Sequence, residues 1–529
     1  MAITTTEFAQ ARNQRRRQQA ACPRQIRNAP MALTLASLLT ALLTSLASPA
    51  VHAGEWKFVP SVSVTETLTD NVRLAGRGGE EGDLVTQVSP GFTLSNNSAL
   101  LKARINYALQ ANLYATSSTA SSFSNLLNAN VAATLIRDLL YMDAIASISQ
   151  QSASIFGPIS FNNTNVNGNQ ASVRSYSISP YLLNRYGNFA TSQLRYTHEG
   201  VSSNSSLLSS TNTDRLNLQV NSGPRYIRTN WGLQASTQKT TYNDLQSVDQ
   251  STASVYGGYG IVPTLRLTAT GGYEKNTYFT RGEKPEGAFY NAGFSWTPSS
   301  RTSVAATAGH RYFGNTYFLA ANHRARNTVF SINYNEDVTS SQGQFESVGL
   351  INTSSQLNLL YAPQIADSAA RQIFVDSLIK QFNLPTSLAV PINSFTNQYF
   401  LQKNFQASVA MSGSRSTLIG TLFDTRRIPL SEVTFVGRDD NIKQIGASLS
   451  GTLQLNGRAS AFSTLSVTRN AALTTNRHDT YRLLRVGMTT TFQPRLNGSI
   501  EARHSQQSSD FFGGDIRENA ITASVLMQF

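Results

Sequence analysis

Strict alternation between apolar and polar positions constrains the fold of this 529-residue chain more than any other feature. In LKARINYALQANLY (101–114), every second position from Leu101 is apolar or aromatic, and polar side chains such as Lys102, Arg104 and Asn106 fill the positions between. Successive side chains of a β-strand point to opposite faces. The stretch therefore predicts a strand between an apolar and a polar environment.

The same pattern recurs from Trp56 to Phe529 in segments of roughly ten to fifteen residues separated by turn residues. Short connections with Pro, Asn or Gly fall at 184–187, 262–264, 297–300, 456–457 and 493–494, and longer polar ones at 154–170 and 508–515. Outer-membrane barrels have such short periplasmic turns and long outer loops. The sequence therefore predicts an all-β fold over 54–529, a large transmembrane antiparallel β-barrel of the bacterial outer membrane with about 22 strands, in a range of roughly 18 to 24.

Composition and the C-terminus agree with a barrel. Only 14% of residues are charged and 40% hydrophobic, which is poor material for a compact soluble core and ordinary for a membrane barrel. The final strand, NAITASVLMQF, places Ile521, Ala523, Val525 and Phe529 on one face and resembles the closing strand that the barrel-assembly machinery recognises. The alternative, an edge strand of a soluble sandwich, would leave an apolar edge open to aggregation. Outer-membrane lipid and the assembly machinery are thus expected partners.

Residues 1–53 have the layout of a secretory signal peptide. Six Arg precede an uncharged apolar run from about Met31 to Ala47, and Val51-His52-Ala53 ends the segment with small residues. Cleavage near Ala53 is expected because Pro49 breaks the helix first, although a retained membrane anchor is the alternative. Met31 is an alternative start. The localisation expected for the mature chain is the bacterial cell outer membrane.

Several function classes find little support. The net charge of +13 is scattered without basic runs, so nucleic acid is not an expected partner. The lone cysteine, Cys22, lies in the predicted signal peptide, so thiol chemistry is excluded from the mature chain. No metal, cofactor or catalytic motif is present; the adjacent His478 and Asp479 could suggest an outer-membrane protease, but adjacency alone does not make a catalytic pair. We expect no enzyme, no cofactor and no metal site.

Two sets of residues are candidates for function. Aromatic side chains beside the predicted short turns and chain ends should form the periplasmic interfacial girdle: Trp56, Trp231, Trp296, Phe492 and Phe529. Charged side chains on the polar strand faces should line the lumen: Lys102, Arg104, Asp143, Arg195, Arg215, Arg266, Glu274, Arg311, Arg485, Glu501 and Arg503. Eight of these eleven are basic, which would favour anionic solutes or polyanionic polymers. Alternatively, the mixed charges only keep a wide pore hydrated.

One interval, residues 337–396, departs from the strand rhythm. Within it, DSAARQIFVDSLIKQF predicts a helix near 367–382, because Phe374, Leu378 and Phe382 recur at four-residue spacing. The interval is either an extracellular loop carrying a short helix or a loop folded into the lumen that narrows the pore.

Several stretches resemble a family of outer-membrane proteins associated with PEP-CTERM protein sorting and exopolysaccharide loci. They are WKFVPSVSVTETLTDNVRL, VSPGFTL, WTPSSRTSVAATAGHRYFGNTYFLAANHRARNTVFSINYNED and HDTYRLLRVGMTTTFQPRLNGSIEARH, and the block 309–314 is the most specific part. The resemblance implies a barrel that works in extracellular-polysaccharide export beside an exosortase system, with exopolysaccharide-export proteins as partners. It implies no catalytic residues.

The expected function is therefore passive passage, or support of export, of a hydrophilic and anionic solute or exopolysaccharide through a polar lumen. Two alternatives are a general diffusion porin and a structural barrel that sheathes a partner protein. No C-x-x-C-H haem motif occurs, so an electron conduit would need a separate cytochrome.

Overall fold

The computed structural model describes residues 56–116, 121–278, 280, 284–346, 394–430, 440–511 and 514–529, together with single residues between 354 and 375. The predicted signal peptide lies outside the described residues. Within the described part of the chain, no helix is long and apolar enough to cross a membrane.

The described chain forms 22 strands in one antiparallel sheet. The strands are β1 Lys57–Thr69, β2 Asp83–Asn97, β3 Leu101–Tyr114, β4 Ser122–Ile136, β5 Leu140–Ser152, β6 Gln170–Tyr186, β7 Ala190–Ser203, β8 Thr211–Ser222, β9 Thr229–Tyr242, β10 Val248–Val262, β11 Leu265–Asn276, β12 Glu286–Ser299, β13 Thr302–Arg311, β14 Gly314–Arg324, β15 Thr328–Thr339, β16 Phe400–Ser412, β17 Ser416–Pro429, β18 Ile442–Gln454, β19 Ala459–Ala472, β20 Arg477–Gln493, β21 Leu496–Ser509 and β22 Ile516–Gln528. A short helix, α1 (Ser341–Glu346), follows β15.

The sheet closes on itself because β1 pairs with both β2 and β22. Leu68 lies opposite Leu84 on one side and Ile521 on the other. Closure removes the free edges that an open sheet would expose. The predicted fold class, an antiparallel barrel of about 22 strands, is confirmed.

Alternation assigns the two faces of the sheet. On β17, Leu422 is 56% exposed, whereas its neighbours Thr421 and Phe423 are 5% and 4% exposed. Leu449 on β18 and Leu465 on β19 are likewise exposed, and the polar residues beside them are buried or half-buried. An apolar outer band around a polar interior is the arrangement of outer-membrane barrels, since lipid contacts only the outer side chains.

The two ends of the barrel differ in their connections. At one end, which we call the short-turn end, strands are joined by short turns such as 98–100, 187–189, 263–264 and 494–495, and β1 begins and β22 ends there. At the other, the loop end, lie the connections 70–82, 153–169, 277–285, 340–399 and 430–441. Short turns mark the periplasmic end in outer-membrane barrels. The loop end then faces the cell exterior.

Rings packed over glycines hold neighbouring strands close together. The Phe462 ring of β19 lies over Gly487 of β20, where a Cβ would come within 2.5 Å of the ring and 2.6 Å of the Ile500 carbonyl oxygen. Gly446 lies beneath the Phe423 ring in the same way. The absence of a side chain at these positions lets an aromatic ring fill the space.

Candidate functional site: the lumen and the segments that fill it

The structure places all eleven predicted lumen residues on the inner face by the alternation of their strands. Arg485, Arg503 and Glu274 are almost fully buried there, at 3%, 4% and 1% exposure. Lys102 remains exposed, and Arg104 and Arg266 are half-buried. The eleven are distributed over β3, β5, β7, β8, β11, β13, β20 and β21. They are therefore spread around the wall rather than gathered at one site.

Five of the eight basic residues pair with an acid on another strand, either the adjacent strand or the next but one. The pairs are Arg195–Asp143 at 2.9 Å, Arg215–Glu199 at 3.5 Å, Arg311–Glu274 at 2.6 Å with Arg311–Asp337 at 2.8 Å, Arg485–Glu501 at 2.5 Å and Arg503–Glu518 at 3.0 Å. Glu199, Asp337 and Glu518 were absent from the predicted set, although their strand parity could have identified them. These acids neutralise much of the positive field that the predicted set implied.

The 153–169 loop folds inward and covers the two most buried pairs. The Phe161 ring lies 4.3 Å from the Arg485 guanidinium carbon and 5.7 Å from that of Arg503, within cation–π range. Asn165 Nδ2 donates to Glu518 Oε1 at 2.8 Å. Here the charged inner wall is a packing surface for a loop.

The same loop also contacts the opposite side of the seam between β22 and β1. The Tyr114 hydroxyl donates to the Thr164 carbonyl at 3.0 Å, and the Val166 amide donates to the Val72 carbonyl at 2.9 Å. The described 153–169 residues therefore bridge β20–β22 and β2–β3 across the inside of the barrel.

Residues 340–399, which we call the inserted segment, begin and end on the inner face at the loop end. Ser341 Oγ donates to the Ser394 carbonyl and accepts from the Thr396 amide, both at 3.1 Å. Arg427 of β17 donates to the Ser394 carbonyl at 2.8 Å. The Phe395 side chain is fully buried. It packs in an apolar cluster of the loop end with Ala153, Ala171, Val173, Val201 and Leu208.

Two side chains of the inserted segment reach toward the short-turn end. Leu357 and Val375 are fully buried against Val329 of β15, Ala410 of β16 and Ile419 of β17. Those three wall residues lie next to the turns 325–327 and 413–415. The described parts of the inserted segment therefore contact the inner wall from the loop end nearly to the short-turn end. Arg371, Gln372, Phe374 and Val375 are helical, and the rest of the helix predicted near 367–382 lies outside the described residues.

A polar cavity of about 280 Å³ lies between the inserted segment and the β8–β10 wall. Thr213, Arg215, Gln238 and Gln250 line it from the wall, and Gln342 lines it from α1. Gln342 is 2% exposed; its Oε1 accepts no hydrogen bond from the described residues, whereas its Nε2 donates to Asn397 Oδ1 at 3.1 Å. Hydroxyl, amide and guanidinium groups of this kind can bind water or a hydroxylated solute.

Tyrosines join the inserted segment to the loop-end rim. The rings of Tyr278 and Tyr399 stack with centroids 4.5 Å apart, and the Tyr278 and Tyr312 hydroxyls are hydrogen-bonded. Burial raises the pKa of Tyr312 to about 12 and also raises the pKa of Tyr278. Both hydroxyls are therefore protonated at neutral pH.

The two sides of the inner wall differ in exposure. Thr421, Gln444, Ser448, Ser450 and Thr464 of β17–β19 are all buried, at 1–6%. The equivalent inward residues of β9–β11, such as Ser236, Thr252 and Thr268, are half-exposed. Water-accessible space thus remains along β9–β11.

The predicted girdle residues lie at the short-turn end. Trp56, Trp296, Phe492 and Phe529 are between 41% and 55% exposed, and Trp231 packs against Phe189 and Tyr226 with centroids 5.6 and 6.0 Å apart. Rings at this height suit the boundary between lipid and water.

His478 and Asp479 point to opposite faces of β20. Asp479 is buried inside and pairs with Arg477 at 2.8 Å, whereas His478 faces outward and lies 3.3 Å from Asp510. The adjacent residues therefore do not form one site.

No protein-family profile and no curated protein sequence matches the chain. Similar solved structures include the siderophore receptor PirA from Pseudomonas aeruginosa, with 12% identity, a TM-score of 0.46 and coverage of 90% of this chain and 81% of that chain. The alcaligin outer-membrane receptor FauA from Bordetella pertussis has 10% identity, a TM-score of 0.44 and coverage of 89% and 76%. The FrpB iron transporter from Neisseria meningitidis has 8% identity, a TM-score of 0.47 and coverage of 89% and 82%. At such values the likeness carries no argument about function.

Proposed function

We propose that the chain is an outer-membrane transport barrel for a hydrophilic solute and that its inserted segment restricts the lumen at rest. The observation that carries the proposal is the burial of Leu357 and Val375 against the inner wall near the short-turn end. Long loops that fold into a barrel narrow its pore. Passage then follows the half-exposed β9–β11 wall or requires the segment to move.

Conductance in planar bilayers tests this proposal. Replacing residues 347–392 by a short Gly-Ser linker keeps the Ser341 and Phe395 anchors and should raise single-channel conductance several-fold, because it removes Leu357 and Val375 from the inner wall. Shortening the exposed loop 243–247 is the matched control and should leave conductance unchanged. If the native protein and both variants showed equal, high conductance and passed small neutral sugars freely, the chain would instead be a general diffusion porin.

We further propose that the solute is anionic. Lys102 and Arg266 are two of the predicted lumen cations, and the described residues supply no ion pair to either, so they remain able to attract anions. Replacing both by Gln should lower the anion-to-cation permeability ratio, whereas Lys443→Gln on the outer face should not. Unchanged selectivity in the double variant would rule out this role for the two cations.

The candidate cargo is an exopolysaccharide that is exported in a PEP-CTERM-associated envelope system. Support comes from the resemblance of 309–314 and of both ends of the mature chain to that family. Deletion of the gene in its native host should trap polysaccharide in the periplasm, and complementation should restore export. Normal surface polysaccharide in the deletion strain would exclude this cargo while leaving the transport proposal open to the bilayer measurement.

A further inference from the structure

The outward face of β17–β22 carries a row of cations near the loop end. They occupy outward positions of five of these six strands, above the apolar band: Arg426, Lys443, Arg469, Arg482 and Arg517. Asp424, an outward-facing acid on β17, pairs with one of these cations, Lys443, at 3.4 Å. The other four form no ion pair with a described residue.

Two of these cations lie at the same height on strands that flank one common strand. Arg482 of β20 lies opposite Gln506 of β21, and Gln506 lies opposite Arg517 of β22. Two strand spacings separate the two arginine backbones, which is roughly 10 Å. Both side chains are exposed. Two long guanidinium side chains at this distance can bind one anionic headgroup together.

An apolar groove lies directly below this pair of arginines. Its volume is about 570 Å³. Leu484 and Val486 border it on β20, and Leu68 and Ile521 border it on β1 and β22, all between 44% and 58% exposed. The small side chain of Ala502 leaves the groove open in its middle. Such a groove suits an acyl chain, since it exposes apolar surface at membrane depth.

The polar rim of the groove is already satisfied internally. His504 Nδ1 and Asn519 Oδ1 are 2.7 Å apart, and Asn519 donates to Asp70 from its backbone amide at 2.7 Å and from Nδ2 at 2.6 Å. The Asp70 carboxylate therefore already accepts hydrogen bonds from Asn519, and Arg482 and Arg517 remain available to bind an external anion.

We propose that this surface binds lipid A, the phosphorylated glycolipid of the outer leaflet, with its phosphates on Arg482 and Arg517 and an acyl chain in the groove. Guanidinium groups bind phosphate bidentately, and the loop end is the exterior end of the barrel. The proposal rests on the outer-membrane location and is independent of what crosses the lumen.

Binding of purified lipid A to the full-length barrel in mild detergent, measured by native mass spectrometry, tests the site. Arg482→Gln with Arg517→Gln should weaken binding about tenfold or more, because charge-assisted contacts to phosphate are lost. Ala502→Phe should weaken it by filling the groove without changing charge. Lys275→Gln, which alters an exposed outward cation on β11, is the control and should bind as the native protein does.

The lipid itself supplies the second arm of the experiment. Dephosphorylated lipid A should bind the native barrel more weakly, and its binding should be insensitive to the arginine substitutions. The proposal is overturned if the arginine variants bind lipid A normally, if dephosphorylated lipid A binds equally well, or if phosphatidylglycerol competes equally. Far-UV circular dichroism establishes that each variant retains its barrel.

Discussion

Arg503 on β21 and Glu518 on β22 form a bidentate ion pair on the inner wall, with Nε–Oε2 at 3.2 Å and Nη2–Oε1 at 3.0 Å. They are 4% and 1% exposed. Thr69 and Asn165 also donate to Glu518 Oε1, at 3.0 and 2.8 Å, so this carboxylate links β1, β21, β22 and the 153–169 loop. The pair lies at the seam where the barrel closes.

Arg503→Met should therefore destabilise the barrel strongly. It leaves the Glu518 charge buried without its cation, which costs about 3–5 kcal/mol. The measurement is urea unfolding in detergent followed by circular dichroism. Arg495→Met, at an exposed turn residue, is the control, and Arg503→Met combined with Glu518→Leu should recover much of the loss. Equal stability of the single variant and the native barrel would contradict this role of the pair.

A disulfide between positions 153 and 395 should lock the inserted segment to the wall. The Phe395 amide donates to the Ala153 carbonyl at 2.9 Å, and the two side chains belong to the same apolar cluster, so the two positions are close enough to test for a disulfide. The oxidised Ala153→Cys/Phe395→Cys variant should conduct less than its reduced form. Ala153→Cys alone should be insensitive to reductant. Higher conductance after oxidation would show that the segment does not restrict the pore.

Alkaline pH should loosen the tyrosine contacts at the rim. The raised pKa of Tyr278 and Tyr312 means that the folded protein disfavours their ionised forms. The stability that the two protonated hydroxyls contribute is fully present below pH 10 and is lost as pH rises toward about 12. Conductance should therefore rise between these values. Tyr278→Phe with Tyr312→Phe keeps the rings without the ionisation and should flatten the rise. If conductance depended on pH identically in the native protein and the double variant, these tyrosines would not be the cause of the rise.

Gly487→Ala should destabilise the barrel by about 1–3 kcal/mol, because the added Cβ would meet the Phe462 ring and the Ile500 carbonyl. Gly257→Ala is a matched control, since a Cβ at position 257 would meet no described residue within 4 Å. Thermal unfolding compares the two variants. A larger loss for Gly257→Ala than for Gly487→Ala would refute the packing argument.

The strands were predictable because each one alternates apolar and polar residues with a period of two. The strand Leu101–Tyr114, for example, could be predicted from its sequence alone. The partners of the lumen arginines were less accessible, because Arg503 and Glu518 meet only through the register between two strands. The 153–169 loop was the hardest feature. The local sequence does not indicate that Phe161 stacks on Arg485, because that contact forms only when the barrel surrounds the loop.

The inserted segment also constrains the order of assembly. Leu357 and Val375 are buried on the inner wall, and the chain that carries them is tethered between β15 and β16. The pairing that closes the sheet joins β1 to β22, the two strands farthest apart in the sequence. Once that pairing is made, the segment could enter only by threading through an end of a completed cylinder. We therefore expect the wall to curl around the segment during biogenesis, with the buried side chains of Leu357 and Val375 forming part of the surface on which the barrel closes.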